Sequence, residues 1–240
     1  MSKYVANVDV EKLTLRPGDA ILDVGCGEGH LARQFVSAGY SVVGVEPSER
    51  LRAEFAAGGD GFDPTVYEVV DARAEELPFS AGSWKAIVMT EVLEHVADPE
   101  RVLNELHRVL APEGRLCLSV PTSFSERLYS RLHPRYSQNA THVRVFAKHA
   151  LTELLRRCDF HVVAIEGKNF IPAVLWIFHA LLRSEADHTG AINEHLWVNR
   201  VVGGFFALLE RLRLLGGVTA VGNRIFPKSW YVYAEKRPSG

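Results

Sequence analysis

The chain has 240 residues, 47% of them hydrophobic and 23% charged, and a formal net charge of −2. That length suits one α/β domain with a sizeable core and an added segment, and the balanced charge lacks the basic surplus of a general nucleic-acid binder. No basic segment leads into an apolar stretch at the amino terminus, and Cys26, Cys117 and Cys158 are widely spaced, each in or next to a predicted buried element, which argues against a disulfide or zinc framework, so a reducing cytoplasm is the expected location.

Residues 1–19 read as a short polar lead closed by the turn Arg16-Pro17-Gly18-Asp19. The stretch 20–31 that follows places an apolar run around Asp23, then Gly25, Gly27 and Gly29 at alternate positions, then helix-compatible residues. This predicts a buried strand turning sharply into a helix whose free N–H groups offer themselves to a polar ligand. Glycines there let a ligand come against the backbone. A second strand is predicted over 41–45 with Glu46 at its end, about twenty residues after the glycine loop, where doubly wound nucleotide sites hold ribose hydroxyls. Further strands are predicted over 65–70, ending in Asp71-Ala72, and over 84–89, 115–120 and 160–165. Between the fourth and fifth strands, Val102, Leu103, Leu106, Val109 and Leu110 recur at helical spacing over 99–110, and Ala111-Pro112-Glu113-Gly114 reads as the stop. Alternating strands and helices imply an α/β fold with a mostly parallel sheet covered on both faces.

Asp23-x-Gly25-x-Gly27-x-Gly29, Glu46, Asp71-Ala72, Leu77-Pro78-Phe79, the run 84–96 and Leu110-Ala111-Pro112-Glu113-Gly114 together resemble the class I S-adenosylmethionine-dependent methyltransferases. Within that class the chain is similar to the small-molecule branch that includes the ubiquinone-biosynthesis O-methyltransferases. The resemblance spans about residues 15–166 in consistent order. It implies a doubly wound, Rossmann-like sheet of seven strands, the last antiparallel and matched by residues 229–234. It implies S-adenosylmethionine as cofactor, with Gly25, Gly27 and Gly29 against its methionine and ribose parts. Asp23 would support the loop or the amino group, Glu46 the ribose hydroxyls, and Asp71 with Ala72 the adenine. Each acid has a plainer reading: Asp23 as a fold-stabilising residue, Glu46 as a solvated strand end, Asp71 as a cap. A nicotinamide-dependent dehydrogenase competes for the same fold, but its loop is Gly-x-Gly-x-x-Gly.

Thr90-Glu91-Val92-Leu93-Glu94-His95-Val96 follows the fourth strand, at the ligand-binding edge of such sheets. If it turns helically, Glu91, Glu94 and His95 share one face at i, i+3 and i+4 and could hold magnesium or zinc. His142 is the fourth candidate ligand. The set is similar to the Glu-x-x-Glu-His plus downstream His pattern of ubiquinone O-methyltransferases and of RNA 3′-terminal 2′-O-methyltransferases, although Ala140 and Val143 depart from the former. A metal would lower the pKa of an acceptor hydroxyl. Without one, His95 or His142 could act as the base or orient the acceptor, or serve packing alone.

The connection 121–149 is long and carries Tyr129, Arg131, His133, Arg135, Tyr136 and Arg144, which suit an anionic acceptor or simply a solvated loop. Region 168–228 falls between the sixth and seventh strands as a helical, apolar insertion, with seven Lys and Arg against four Asp and Glu. Its apolar runs are too short or too charged to span a bilayer. An acceptor lid, a homodimer contact, peripheral contact with membrane lipid and a plain helical subdomain all remain open for it. The expected division is a cofactor-binding core over 1–167 and 229–240, and a lid over 168–228. The expected activity is O-methylation of a small hydrophobic acceptor, metal-assisted or not, with RNA 3′-end methylation as the alternative.

Overall fold

The computed structural model describes residues 4–58, 63–132, 143–171, 173–174, 204, 211 and 215–237. The chain forms two compact units, one of residues 1–120, 148–165 and 231–240, the other of 121–147 and 166–230.

The first unit is built on strands β3 (Ala20–Val24), β4 (Ser41–Val45), β5 (Tyr67–Val70), β6 (Trp84–Thr90), β7 (Leu110–Pro121), β8 (Phe160–Lys168) and β9 (Ser229–Lys236), after a hairpin of β1 (Tyr4–Val5) and β2 (Val8–Asp9). The seven strands form one mostly parallel sheet in the order β5-β4-β3-β6-β7-β9-β8, antiparallel at the last strands. The seven strands expected from the sequence all form. Ile21, Leu22, Ile87 and Val88 are fully buried, as expected for central strands covered on both faces.

Helix α1 (His30–Ser37) follows β3, α2 (Glu49–Gly58) follows β4, and α3 (Pro99–Val109) follows β6. Asp98 caps α3 by accepting from the Arg101 N–H at 3.0 Å, Pro99 fills the first turn, and Val102, Leu103, Leu106 and Val109 are buried. Helix α5 (Lys148–Arg157) precedes β8 and buries Leu151, Leu154 and Leu155. Residues 111–114 do not simply stop α3. They lie within β7, where the register on β6 slips between Trp84↔Leu110 and Ala86↔Arg115.

The lead is less polar than its composition suggests. Val5, Val8, Val10 and Leu13 are buried in the same cluster as Ile21, Val42 and Tyr233. Two-residue strands leave no alternation long enough to read from sequence. The fully buried Asp9 accepts from the Glu11 and Lys12 N–H groups, its carboxylate pairs with the Lys12 ammonium, and its own N–H donates to the Tyr233 hydroxyl at 2.8 Å.

In the second unit, Ser123–Leu132 forms helix α4 where the sequence reads as a plain connection, and it buries Tyr129. The Thr122 hydroxyl sits within hydrogen-bond distance of Ser125 Oγ and the Pro227 carbonyl, and holds the start of α4 beside the end of α6 (Leu215–Ile225). Val221 and Ile225 of α6 are exposed. Residues 133–142, and with them His133, Arg135, Tyr136, Gln138, Asn139 and His142, lie outside the described residues. No helix among the described residues is long and apolar enough to cross a membrane.

Tyr233→Phe removes the acceptor for a buried N–H while keeping the ring. We expect it to cost about 1–3 kcal/mol, read as a lower midpoint in urea unfolding, with the far-ultraviolet spectrum retained.

Candidate cofactor site

Strand register makes this site. In the parallel ladder Val24 pairs with Val45 and Val45 with Val70. The next residues along each chain, Gly25, Glu46 and Asp71, therefore emerge side by side at the carboxyl edge. Backbone bonds extend the ladder past the strands: the Gly25 and Cys26 N–H groups both donate to the Val45 carbonyl, at 2.8 and 3.1 Å, and the Glu46 N–H donates to Val70 at 3.2 Å.

The glycines are required for different reasons. A Cβ on Gly25, whose φ is +74, would lie 2.5 Å from Val92 Cγ2, so this position is closed by packing. Gly27, at φ +53, has no atom of the described residues within 4 Å of where a Cβ would stand. The backbone of Gly27 is thus bare toward open space, as a close-approaching ligand requires. At Gly29 a Cβ would strike Phe55 and the Tyr67 hydroxyl, both at 2.5 Å. Those two rings stack at 4.2 Å behind the loop, and the Tyr67 hydroxyl donates to the Phe55 carbonyl.

Asp23 is 2% exposed, and its Oδ2 has no hydrogen-bond partner among the described residues. Burial pushes its carboxyl from the ordinary 3.8 up to about 7. Glu46, also buried, accepts from the Gly27 N–H on Oε2 at 3.2 Å and from the Ser48 N–H on Oε1 at 2.9 Å. Asp71 is exposed and pairs with Arg52 at 2.8 Å. Cys26, between the glycines, is a free thiol that burial and the Asp23 and Glu46 carboxylates push up in pKa. It is no thiolate nucleophile.

The segment after β6 departs from the sequence reading. Glu91 takes a left-handed φ of +54, and the following turn, Leu93–His95, is a single 3-10 turn. Glu91 accepts from the Ser119 hydroxyl at 2.8 Å, Glu94 is buried and His95 is exposed. The helical face expected to join Glu91, Glu94 and His95 therefore does not form, because the left-handed residue breaks helical continuity. Among the described residues no group of three His, Cys, Asp or Glu is placed to hold a metal ion.

A methyltransferase-domain family model matches residues 3–165, well over half of the chain. The chain belongs to the class I S-adenosylmethionine-dependent methyltransferases. The ubiquinone biosynthesis O-methyltransferase of Xanthomonas oryzae pv. oryzae (strain PXO99A) is 30% identical over 184 residues, covering 71% of this chain and 73% of that protein. An uncharacterized methyltransferase of Mycobacterium leprae (strain Br4923) is 37% identical over 102 residues, covering 42% of this chain. There the chain spans only 37% of the relative's length. Among solved structures, a Haloferax volcanii methyltransferase in complex with the Trm112 methyltransferase activator superposes with a TM-score of 0.62 at 16% identity. It covers 96% of this chain and 89% of its own, a likeness of fold alone.

The site's chemistry fits the cofactor of this methyltransferase family. Gly27 supplies a bare backbone, Asp23 a buried acceptor without a donor, and Glu46 a carboxylate with one oxygen bond used on each side and lone pairs to spare. The sequence reading overlooked Val92, which closes Gly25, and Arg52, which holds Asp71. A basic residue six places after the strand-end acid, on the first turns of the next helix, was the available signal for Arg52.

Gly27→Ala should abolish S-adenosylhomocysteine binding by calorimetry while costing only about 1 kcal/mol of backbone strain. Gly25→Ala should lower thermal stability markedly, since Val92 has to move. Asp23 gives a pH signature. Between 3.8 and about 7 the unfolded chain has released this proton and the folded chain retains it. Folding stability of the ligand-free enzyme should therefore fall as pH rises through that window, by at most about 4 kcal/mol from this group. Urea titrations at pH 4.5 and 7.5 should show the slope in wild type and its loss in Asp23→Asn.

Proposed function

We propose that this methyltransferase acts on a hydroxyl oxygen of a small, largely apolar acceptor. One observation carries the acceptor class. The second unit contains a cavity of about 270 Å³ whose lining is almost wholly apolar, with Phe124, Leu128 and Tyr129 from α4 and Phe170, Val174 and Phe226 from the 168–228 region. Both segments that the sequence assigns to acceptor binding thus contribute to one apolar pocket. Likeness to the Xanthomonas ubiquinone biosynthesis O-methyltransferase supports oxygen as the methylated atom.

When bound, S-adenosylmethionine supplies an electrophilic methyl group on a sulfonium. Every other contribution is this chain's own. The Gly27 backbone admits the ligand, and Asp23 accepts from its amino group. Glu46 accepts from ribose hydroxyls on the lone pairs that Gly27 and Ser48 leave free, and Asp71, followed by Ala72, accepts from the adenine amine. The acceptor hydroxyl has to lose its proton, and the exposed imidazole of His95, just past β6, is the base in this reading. His142 keeps its candidacy as a second base from the sequence alone. The reading uses no divalent ion, because Glu91 is engaged by Ser119 while Glu94 and His95 differ in exposure. RNA 3′-end methylation, which drew on the same ligand set, loses its support for the same reason. Residues 1–167 with 229–240 form the cofactor-binding part, and 168–228 supplies acceptor-binding surface.

The test is methyl incorporation from labelled S-adenosylmethionine into catechols with and without an apolar tail. Tailed catechols should be preferred. Leu128→Trp, which fills the cavity, should raise KM for the tailed substrate about tenfold, equivalent to one or two methylenes expelled from the pocket. Affinity for S-adenosylhomocysteine should stay within about twofold. Incorporation into amines alone, or none into any hydroxyl, would overturn the oxygen assignment.

A further inference from the structure

We infer that Arg52 is a positioning residue for cofactor selection: its guanidinium fixes the Asp71 carboxylate so that the site discriminates for the adenine amine. This rests on the assignment of Asp71 to that amine.

Arg52 lies in the first turns of α2, with its N–H bonded to the Ser48 carbonyl at 2.9 Å. Its side chain turns back toward the sheet edge and makes two directed bonds. Nη1 donates to the Glu46 carbonyl at 2.9 Å, and Nη2 donates to Asp71 Oδ2 at 2.8 Å. One planar fork therefore ties the residue after β4 to the residue after β5. A guanidinium is suited to this, because its donors have fixed relative directions, whereas an ammonium offers a single point of charge.

The two carboxylates at this edge are held in unlike ways. Glu46 is buried and receives backbone N–H groups on both oxygens, so its orientation is set by the loop itself. The Asp71 side chain is 68% exposed, and among the described residues Arg52 is its one partner. Left alone, a solvent-facing aspartate samples several rotamers and points its charge at water. Arg52 is itself well covered, at 18%, so it is the fixed member of the pair. It also offsets the repulsion between two acids that emerge from paired strands. It occupies Oδ2 and leaves Oδ1 for an amine donor.

An ion pair with so exposed an acid adds little to folding stability. Its effect should therefore be seen in ligand choice and not in melting temperature, a signature that a purely structural arginine would not give.

The experiment is calorimetric titration of the full chain with S-adenosylhomocysteine and with its 6-deamino analogue, which carries purine in place of adenine. Wild type should bind the adenine form about tenfold more tightly, the usual weight of one charge-assisted hydrogen bond. Arg52→Ala should shrink that preference to within about twofold while barely changing the melting temperature. Asp71→Ala should do the same, and the double variant should lose nothing more, because both act on one contact. Arg52→Gln, which keeps one donor and most of the stem, should fall between and guards against an unfolded alanine variant. If Arg52→Ala retains the tenfold preference while Asp71→Ala loses it, Arg52 does not position Asp71 and the inference fails. If Asp71→Ala also retains it, or wild type shows none, the assignment of Asp71 fails first and carries the inference with it.

Discussion

The alignment of three parallel strands is the constraint on which the rest depends. Val24, Val45 and Val70 lie on one rung, so the chain delivers a glycine loop and two acids to the same edge within three residues of the sheet. Parallel strands have evenly spaced, slanted bonds, and a one-residue slip would turn every side chain to the opposite face. Register is therefore protected by the whole core. Ile21, Leu22, Val42 and Val88 are buried on their proper faces only in this pairing. The backbone placement of the candidate site is inherited from core packing.

What packing cannot supply is the local chemistry, and there the edge accepts instability. Asp23 sits at the end of β3 without hydrogen bonding for one oxygen and with a carboxyl held near neutral pH by burial. A buried acceptor without a donor costs folding free energy that a donor from a ligand would recover. Gly27 has the same character. It holds a left-handed backbone with no neighbour among the described residues to explain it, while Gly25 and Gly29 are explained by Val92, Phe55 and Tyr67. In the proposed reading the unexplained positions mark the ligand side of the loop, and the explained ones mark its support.

Much of this was legible in the sequence because the features are local or periodic. The first six strands of the sheet, α3 with its proline start, and the acids at strand ends follow from short-range pattern, and resemblance to a known family supplied the seventh strand and ordered the acids into a candidate site. Other features depended on contacts distant in sequence. Asp9 is buried because Tyr233 lies against it, 224 residues away, and nothing in Asn-Val-Asp-Val announces that. The left-handed conformation of Glu91 is set by the β6 to β7 junction, where its N–H and carboxylate both engage Ser119. Helical spacing suggested a common face for Glu91, Glu94 and His95, and this tertiary junction overrode it. Helix α4 was hidden by its polar sequence, Ser123-Phe124-Ser125-Glu126-Arg127, whose caps depend on Thr122 meeting residues near 227.

The charge of this edge carries the argument one step further. Asp23, Glu46, Asp71, Glu91 and Glu94 all lie at or just past the carboxyl ends of β3 to β6, and Arg52 is bonded to Asp71. An edge of this sign favours a ligand carrying positive charge at its amino group and sulfonium over one that has lost the sulfonium charge. The cofactor before transfer is dication-like at those two centres, and the product after transfer is not. In the proposed reading those two positive centres meet acids at this edge, most strongly where burial lowers the local dielectric, as around Asp23 and Glu46. In the proposed reading the acids assigned to the cofactor also set the sign of this edge, and Arg52 offsets their mutual repulsion while adding little to folding stability.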